Sequence, residues 1–261
     1  MRYTGIDGAV AVVTGAAGGI GSAVVDALAS QGATVAALDR DADRLEKTVA
    51  AAVADRRDVV ALPVDVTDAA LVADAIDRVE NEVGPIAILV NAAGVMRTGP
   101  LLELESVDWA ETFAVNATAV FEVSRLVARR MAARHKGCVI TVASNAATVA
   151  RVGMSAYCAS KAAAAMLTRC LGLEVARYGI RCNTVSPGST DTPMLRALWT
   201  DESGPAKTLG GSLDEYRLGI PLRRIATPAD IADAVTFLAA DQARHITMHD
   251  LCVDGGATLG C

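Results

Sequence analysis

Short apolar runs alternate with longer amphipathic stretches along the whole chain. Runs rich in Val, Ile, Ala and Leu at 9–14, 34–39, 59–65, 86–91, 138–144, 181–186 and 248–253 read as strands. Between them, Ala- and Leu-rich segments with helical spacing at 20–31, 42–54, 69–83, 109–134, 156–178 and 228–239 read as helices. Several strand runs are apolar at consecutive positions, as a strand buried on both faces requires. The βαβ rhythm predicts an α/β fold: a doubly wound parallel sheet of seven strands with helices on both faces. No shift in composition divides the chain, so residues 1–261 are expected to form one domain.

One stretch breaks the rhythm. Residues 193–221 carry Gly204, Pro205, Gly210, Gly211 and Gly219 among mixed charges. Long irregular insertions in compact domains are usually binding loops, and this one follows the C-terminal end of a strand, where open α/β sheets bind ligands. It is predicted to be a substrate lid.

Composition narrows the function classes. Hydrophobic residues make up 52% of the chain and charged residues 21%, which permits a full core and excludes disorder. A net charge of −6 and 3% aromatics oppose a nucleic-acid or anionic-membrane partner. The mean hydropathy of +0.35 raises the question of a membrane span. The longest uncharged run near the start, 8–25, holds five glycines plus Thr14 and Ser22, too polar a run to span a bilayer or to serve as a signal peptide. Cys138, Cys158, Cys170, Cys182, Cys252 and Cys261 form no C-x-x-C pair, which suggests buried thiols in a reducing cytoplasm. His135, His245 and His249 are scattered, and no metal site is expected.

The first strand runs into Thr14-Gly15-Ala16-Ala17-Gly18-Gly19-Ile20-Gly21, and a helix follows. Gly15 suits a tight turn, Gly19 a close approach of backbone to a pyrophosphate, and Gly21 close helix–strand packing. The helix N-terminus then offers unpaired N–H groups to phosphate. Asp39 lies 18 residues after Gly21 at the end of the second strand, near the spacing of an acid that binds the adenosine ribose. A carboxylate there repels a 2′-phosphate and favours NAD over NADP. Arg40 is a guanidinium that could oppose this preference, and a helix N-cap is the plainer role for Asp39.

Tyr157 and Lys161 are four apart on a predicted helix and share one face, and Ser144 ends a strand thirteen residues earlier. A phenol with a reference pKa of about 10 needs a neighbouring ammonium to act as a base near neutrality. A serine hydroxyl can hold the substrate oxygen beside it.

Together with the glycine turn, these residues resemble the short-chain dehydrogenase/reductase family over essentially the whole chain. The matching motifs are 14–21, Asn91-Ala92-Ala93-Gly94, Asn116, Ser144, Tyr157 with Lys161, and Pro187-Gly188. The resemblance implies that Tyr157 is the general acid/base and Ser144 orients the substrate. It further implies that Lys161 also holds the nicotinamide ribose and Asn116 supports a water leading to Lys161. It assigns Asp65 and Val66 to the adenine, Asn91 and Gly94 to the cofactor's flank, and Thr192 to the nicotinamide carboxamide. It also implies a homotetramer formed through the helices after the fourth and fifth strands and through the last strand.

Stretches at 112–116, 151–157, 186–192, 218–222 and 253–260 are similar to family members that oxidise a cyclohexadiene diol carboxylate to a dihydroxybenzoate for siderophore or secondary-metabolite synthesis. The implied substrate is a small carboxylated cyclohexadiene. An analogue with an amine in place of one hydroxyl, giving 3-hydroxyanthranilate, is the alternative. A general ketoacyl or sugar-alcohol reductase is opposed by Asp39, and a non-catalytic dinucleotide sensor or scaffold by the intact Ser144, Tyr157 and Lys161. A carboxylate calls for a cation, and Arg97 and Arg151 both leave predicted strand ends. Met154 and Met194 are candidates for the apolar wall.

Overall fold

A computed structural model of the protein describes residues 3–260; Met1, Arg2 and Cys261 lie outside the described residues. In chain order the elements are β1 (Val10–Thr14), α1 (Gly19–Ser30), β2 (Thr34–Asp39), α2 (Ala42–Ala54), β3 (Val59–Pro63) and α3 (Ala69–Arg78). Next come β4 (Ile86–Asn91), α4 (Ser106–Phe113), α5 (Ala119–Arg134), β5 (Gly137–Val142), α6 (Ser155–Val175) and β6 (Ile180–Pro187). The rest comprises α7 (Pro193–Arg196), α8 (Gly204–Gly210), β7 (Gly211–Ser212), β8 (Arg217–Leu218), α9 (Pro228–Ala239) and β9 (Asp250–Val253).

Seven strands form one parallel sheet in the order β3-β2-β1-β4-β5-β6-β9, as the alternation of patterns predicts. The pleat sends alternate side chains to opposite layers. Ala11 and Val13 of β1 pack with Val24, Val25 and Leu28 of α1 and with Ile231 and Val235 of α9. Val10 and Val12 pack with Ile76 of α3 and with Val123, Val127 and Met131 of α5. Both faces of β1 are therefore core, which is why its sequence is apolar without interruption. Strand order reverses between β1 and β4, and this switch point opens a crevice beyond the carboxyl ends of the strands.

The predicted helix at 69–83 is α3 followed by a π-helical turn, Val79–Val83, and the structure departs from the pattern in three further places that bear on the site. The predicted helix at 109–134 begins earlier, at Ser106, and is interrupted by a π-helical segment, Ala114–Thr118, that carries Asn116. Such widened turns recur at functional sites. The segment 193–221 is less irregular than its glycines suggest: it holds two short helices and the antiparallel pair β7–β8. Trp199 donates its indole N–H to Thr208 Oγ1 at 3.1 Å, giving this segment a small interior of its own. The cysteines are not uniformly buried either. Cys138 and Cys182 are buried, Cys158 and Cys252 half-buried, and Cys170 exposed on the outer face of α6. Among the described residues, no helix is long and apolar enough to cross a membrane.

Candidate active site

A cleft of about 370 Å³ lies over the switch point, and most of the predicted site residues line it. At one end is the glycine turn. Gly15 has φ +67°, and a Cβ there would lie 2.6 Å from the backbone of Ala93. A Cβ on Gly21 would collide with the Gly15 carbonyl, so this glycine serves the turn's own closure as well as helix packing. A Cβ on Gly19 would lie 2.8 Å from the Thr192 methyl, in the space between the turn and the start of α7. The first turn of α1 has no side-chain cap, and Gly19, Ile20 and Gly21 line the cleft. Amides at such positions have no partner within their own helix. The cradle and the uncapped amides fit a pyrophosphate.

Asp39 closes the glycine-turn end of the cleft. Its Oδ2 accepts the Ala17 N–H at 3.0 Å and its Oδ1 accepts the Asp41 N–H at 3.0 Å. The residue that caps α2 is Asp41, which accepts the Arg44 N–H at 3.0 Å. Asp39 is thus a cleft residue rather than the cap, held by the glycine turn. Arg44 braces the same turn by donating to the Ala17 carbonyl at 2.8 Å. Arg40, Asp65 and Val66 complete this wall. Hydrogen bonds from the backbone and hydroxyl of Thr67 hold the Asp65 carboxyl below its usual range.

At the other end Ser144, Tyr157 and Lys161 converge from β5 and α6. Ser144 Oγ accepts the Ala146 N–H at 3.1 Å. The neighbouring Asn145 donates to Asp254 Oδ2 at 3.2 Å, and Asp254 also accepts from Thr258 and Gly256. The segment after β9 thereby braces the serine's turn. Lys161 donates to the Val142 carbonyl at 2.9 Å, and its Nζ lies 5.9 Å from the Tyr157 ring centre. Burial pulls its ammonium down to about 8. Burial also pushes the Tyr157 phenol above its ordinary value, while its hydrogen bond with Ser144 pulls it down. Burial is the larger of the two effects on the phenol, and Ser144 is the group that opposes it.

Gly94, Met154, Pro187, Gly188, Thr192 and Met194 also line the cleft. Thr192 accepts the Leu195 N–H at 3.3 Å and starts α7. Two predicted residues stand behind the cleft. Asn91 is buried and donates to Ser124 Oγ at 2.9 Å, tying β4 to α5 rather than facing a cofactor. Asn116 is fully buried, with Val95 N–H donating to its Oδ1 at 2.9 Å and its Nδ2 donating to Val95 O at 2.9 Å and Ser160 Oγ at 3.0 Å. Its side chain holds the strand-end loop over Lys161.

Arg97 is the one predicted residue that the fold carries away. It pairs with Asp108 at 3.4 Å and Glu111 at 3.0 Å on α4, and half of its side chain is exposed. Two carboxylates already satisfy it, and the expectation that it meets a substrate carboxylate fails. Arg151 does line the cleft. So does Arg217 of β8, which strand-end spacing does not reach because it arrives late in the 193–221 segment.

Comparison with known proteins agrees with this architecture. The profile of the family described as short chain dehydrogenase matches residues 9–203. The chain is 54% identical over 260 residues, covering 100% of both chains, to 2,3-dihydro-2,3-dihydroxybenzoate dehydrogenase of Bacillus subtilis (strain 168). It is 43% identical to the protein of the same name from Escherichia coli (strain K12), covering 95% of this chain and 96% of the other. Among solved structures, 7α-hydroxysteroid dehydrogenase complexed with NADH and 7-oxo glycochenodeoxycholic acid superposes with a TM-score of 0.89 at 30% identity, covering 97% of this chain and 95% of that one.

Proposed function

The chain belongs to the short-chain dehydrogenase/reductase family, and on that premise we propose that it oxidises 2,3-dihydro-2,3-dihydroxybenzoate to 2,3-dihydroxybenzoate with NAD. The observation that carries the reading is the cleft itself: one cavity holds a dinucleotide cradle at one end and Ser144 with Tyr157 at the other. Bound NAD supplies the hydride acceptor. Asp39 favours NAD because a fixed carboxylate accepts from ribose hydroxyls and repels a 2′-phosphate.

Ser144 holds the oxygen of the reacting ring alcohol. Tyr157, as phenolate, accepts the alcohol proton, and the carbinol C–H departs as hydride. The ring ketone left behind enolises to the phenol, so substrate loses two hydrogens overall, one as hydride and one as a proton. Aromatisation makes the sequence strongly downhill. Lys161, anchored on the Val142 carbonyl under the phenol, fixes the position of α6 against β5 and presents its ammonium to the cofactor's ribose. The segment 193–221 serves as lid, with Met194 and Met154 on the apolar walls.

A cytoplasmic homotetramer fits the surface. Met166 and Leu173 are exposed on α6, and Leu102, Val107, Trp109 and Phe121 are exposed on and around α4 and α5. These are the helices through which family members assemble. The Ala162–Ala165 run divides: Ala164 and Ala165 are buried in the subunit, whereas Ala163 faces outward.

Purified protein mixed with NAD and the cyclic diol carboxylate should generate reduced-nicotinamide absorbance and a dihydroxybenzoate. Binding of NAD without turnover of this diol or of its amino analogue would overturn the assignment.

A further inference from the structure

The cleft contains five cationic side chains: Arg40, Arg44, Arg151, Lys161 and Arg217. Three are committed elsewhere. Arg40 and Arg44 flank Asp39 at the adenosine end, and Lys161 is anchored beneath the phenol. The remaining two come from separate parts of the chain. Arg151 lies on the loop leading into α6, and Arg217 on the lid strand β8. Neither has an ion-pair partner among the described residues, in contrast to Arg196 and Arg224 nearby, which pair with Asp191 and Asp230.

Arg217 is half-buried, and its guanidinium donates to Ser189 Oγ at 3.0 Å, next to the Pro187-Gly188 wall. That single bond leaves most of its five N–H donors unused. Burial lowers its pKa, and the charge of Arg151 lowers it further; Glu215 on the hairpin offsets part of this. Two guanidiniums that line one cleft without a carboxylate partner form an arrangement that an anion bound there would relieve. A carboxylate has about four lone-pair sites and can accept from both forks at once.

We propose that Arg151 and Arg217 form a two-sided clamp for the carboxylate of the substrate, one guanidinium from the cleft wall and one from the lid. The inference rests on the proposed aromatising reaction for the identity of the ring, but not for the clamp. The clamp fixes which ring hydroxyl reaches Tyr157, and because Arg217 rides on β8, it makes the anion a link between lid and wall.

The test is equilibrium binding to the NAD-loaded protein of 2,3-dihydroxybenzoate and of catechol, the same ring without its carboxylate. Wild type should prefer 2,3-dihydroxybenzoate by about 30-fold or more, as expected of two charge-assisted contacts. Arg151→Met and Arg217→Met should each cut that preference to within about 3-fold, and Arg217→Lys should give an intermediate value, since ammonium keeps charge without the fork. NAD affinity reports that each variant is folded, and Arg217→Lys decides should the Met variant not fold. A preference unchanged in the Arg217 variants, or absent from wild type, overturns the clamp. Turnover of the diol is followed in parallel. Turnover without preference sinks the clamp alone, and preference without turnover sinks the reaction while upholding the clamp.

Discussion

The two ends of the cleft are built from different kinds of groups. At the glycine-turn end, the turn after β1 is pinned between β2 and β4, and the groups lining the cleft are largely backbone: glycine surfaces, uncapped amides, and one carboxylate held by the turn. At the Ser144–Tyr157 end, the wall from α7 to β8 leaves β6 and returns through the Thr190–Ala226 bridge and the bond from Leu222 N–H to the Gly255 carbonyl. What it offers is side chains: Met194, Leu198 and Arg217. A backbone site is fixed by the spacing of glycines. A side-chain site is fixed by where a long excursion comes back. The first tolerates little change, whereas the second can be rebuilt for a new ring without disturbing the sheet.

The sharpest break between the two ends is Tyr157→Phe. It should lower kcat by about 10³-fold, within the range for loss of a general base, while NAD Kd moves little. Comparable loss of both would place the tyrosine in cofactor binding instead. The pH profile comes next. Oxidation needs the phenolate and burial raises the phenol's pKa, so kcat should climb from neutral into alkaline pH. Ser144→Ala removes the bond that opposes that rise and should move the climb to higher pH; a profile that stays in place would exclude this coupling. Asp39→Ala should weaken NAD by about 10-fold and NADP far less, as expected for loss of one charge-assisted contact, and equal losses would assign the carboxylate to bracing the turn alone. Smallest is Arg97→Met. With its partners Asp108 and Glu111 on the surface, it should change substrate KM by less than about 2-fold.

The sheet and the placing of the glycine turn and Asp39 along one cleft were legible in the sequence because each rests on local spacing. Both faces of β1 are buried, so its pattern is continuous; Asp39 follows from the length of one βα unit. Asn116 and Asn91 were legible as family positions, but not the direction in which they point. A π-helical turn sends Asn116 to Val95 and Ser160, and the pleat of β4 sends Asn91 to α5. The arginines show the limit most plainly. Arg97 and Arg151 look alike in sequence, each just past a strand end, yet two acids on α4 claim Arg97. Arg217 sits in a segment whose glycines suggest an open loop, and only the β7–β8 pairing aims it inward. The phenol's raised pKa was invisible for a related reason: the Tyr–Lys spacing shows the ammonium but not the depth at which both are buried.

The tie between Asn145 and Asp254 has a bearing on how activity is acquired. The strands that pin the glycine turn, β1, β2 and β4, all lie within the first hundred residues of the chain. The turn that carries Ser144 is braced only after β9 has docked on β6, across 109 positions of sequence. A chain maturing from its N-terminus would thus own its glycine turn well before a braced Ser144 turn, with the last parallel strand acting as a late latch on that turn.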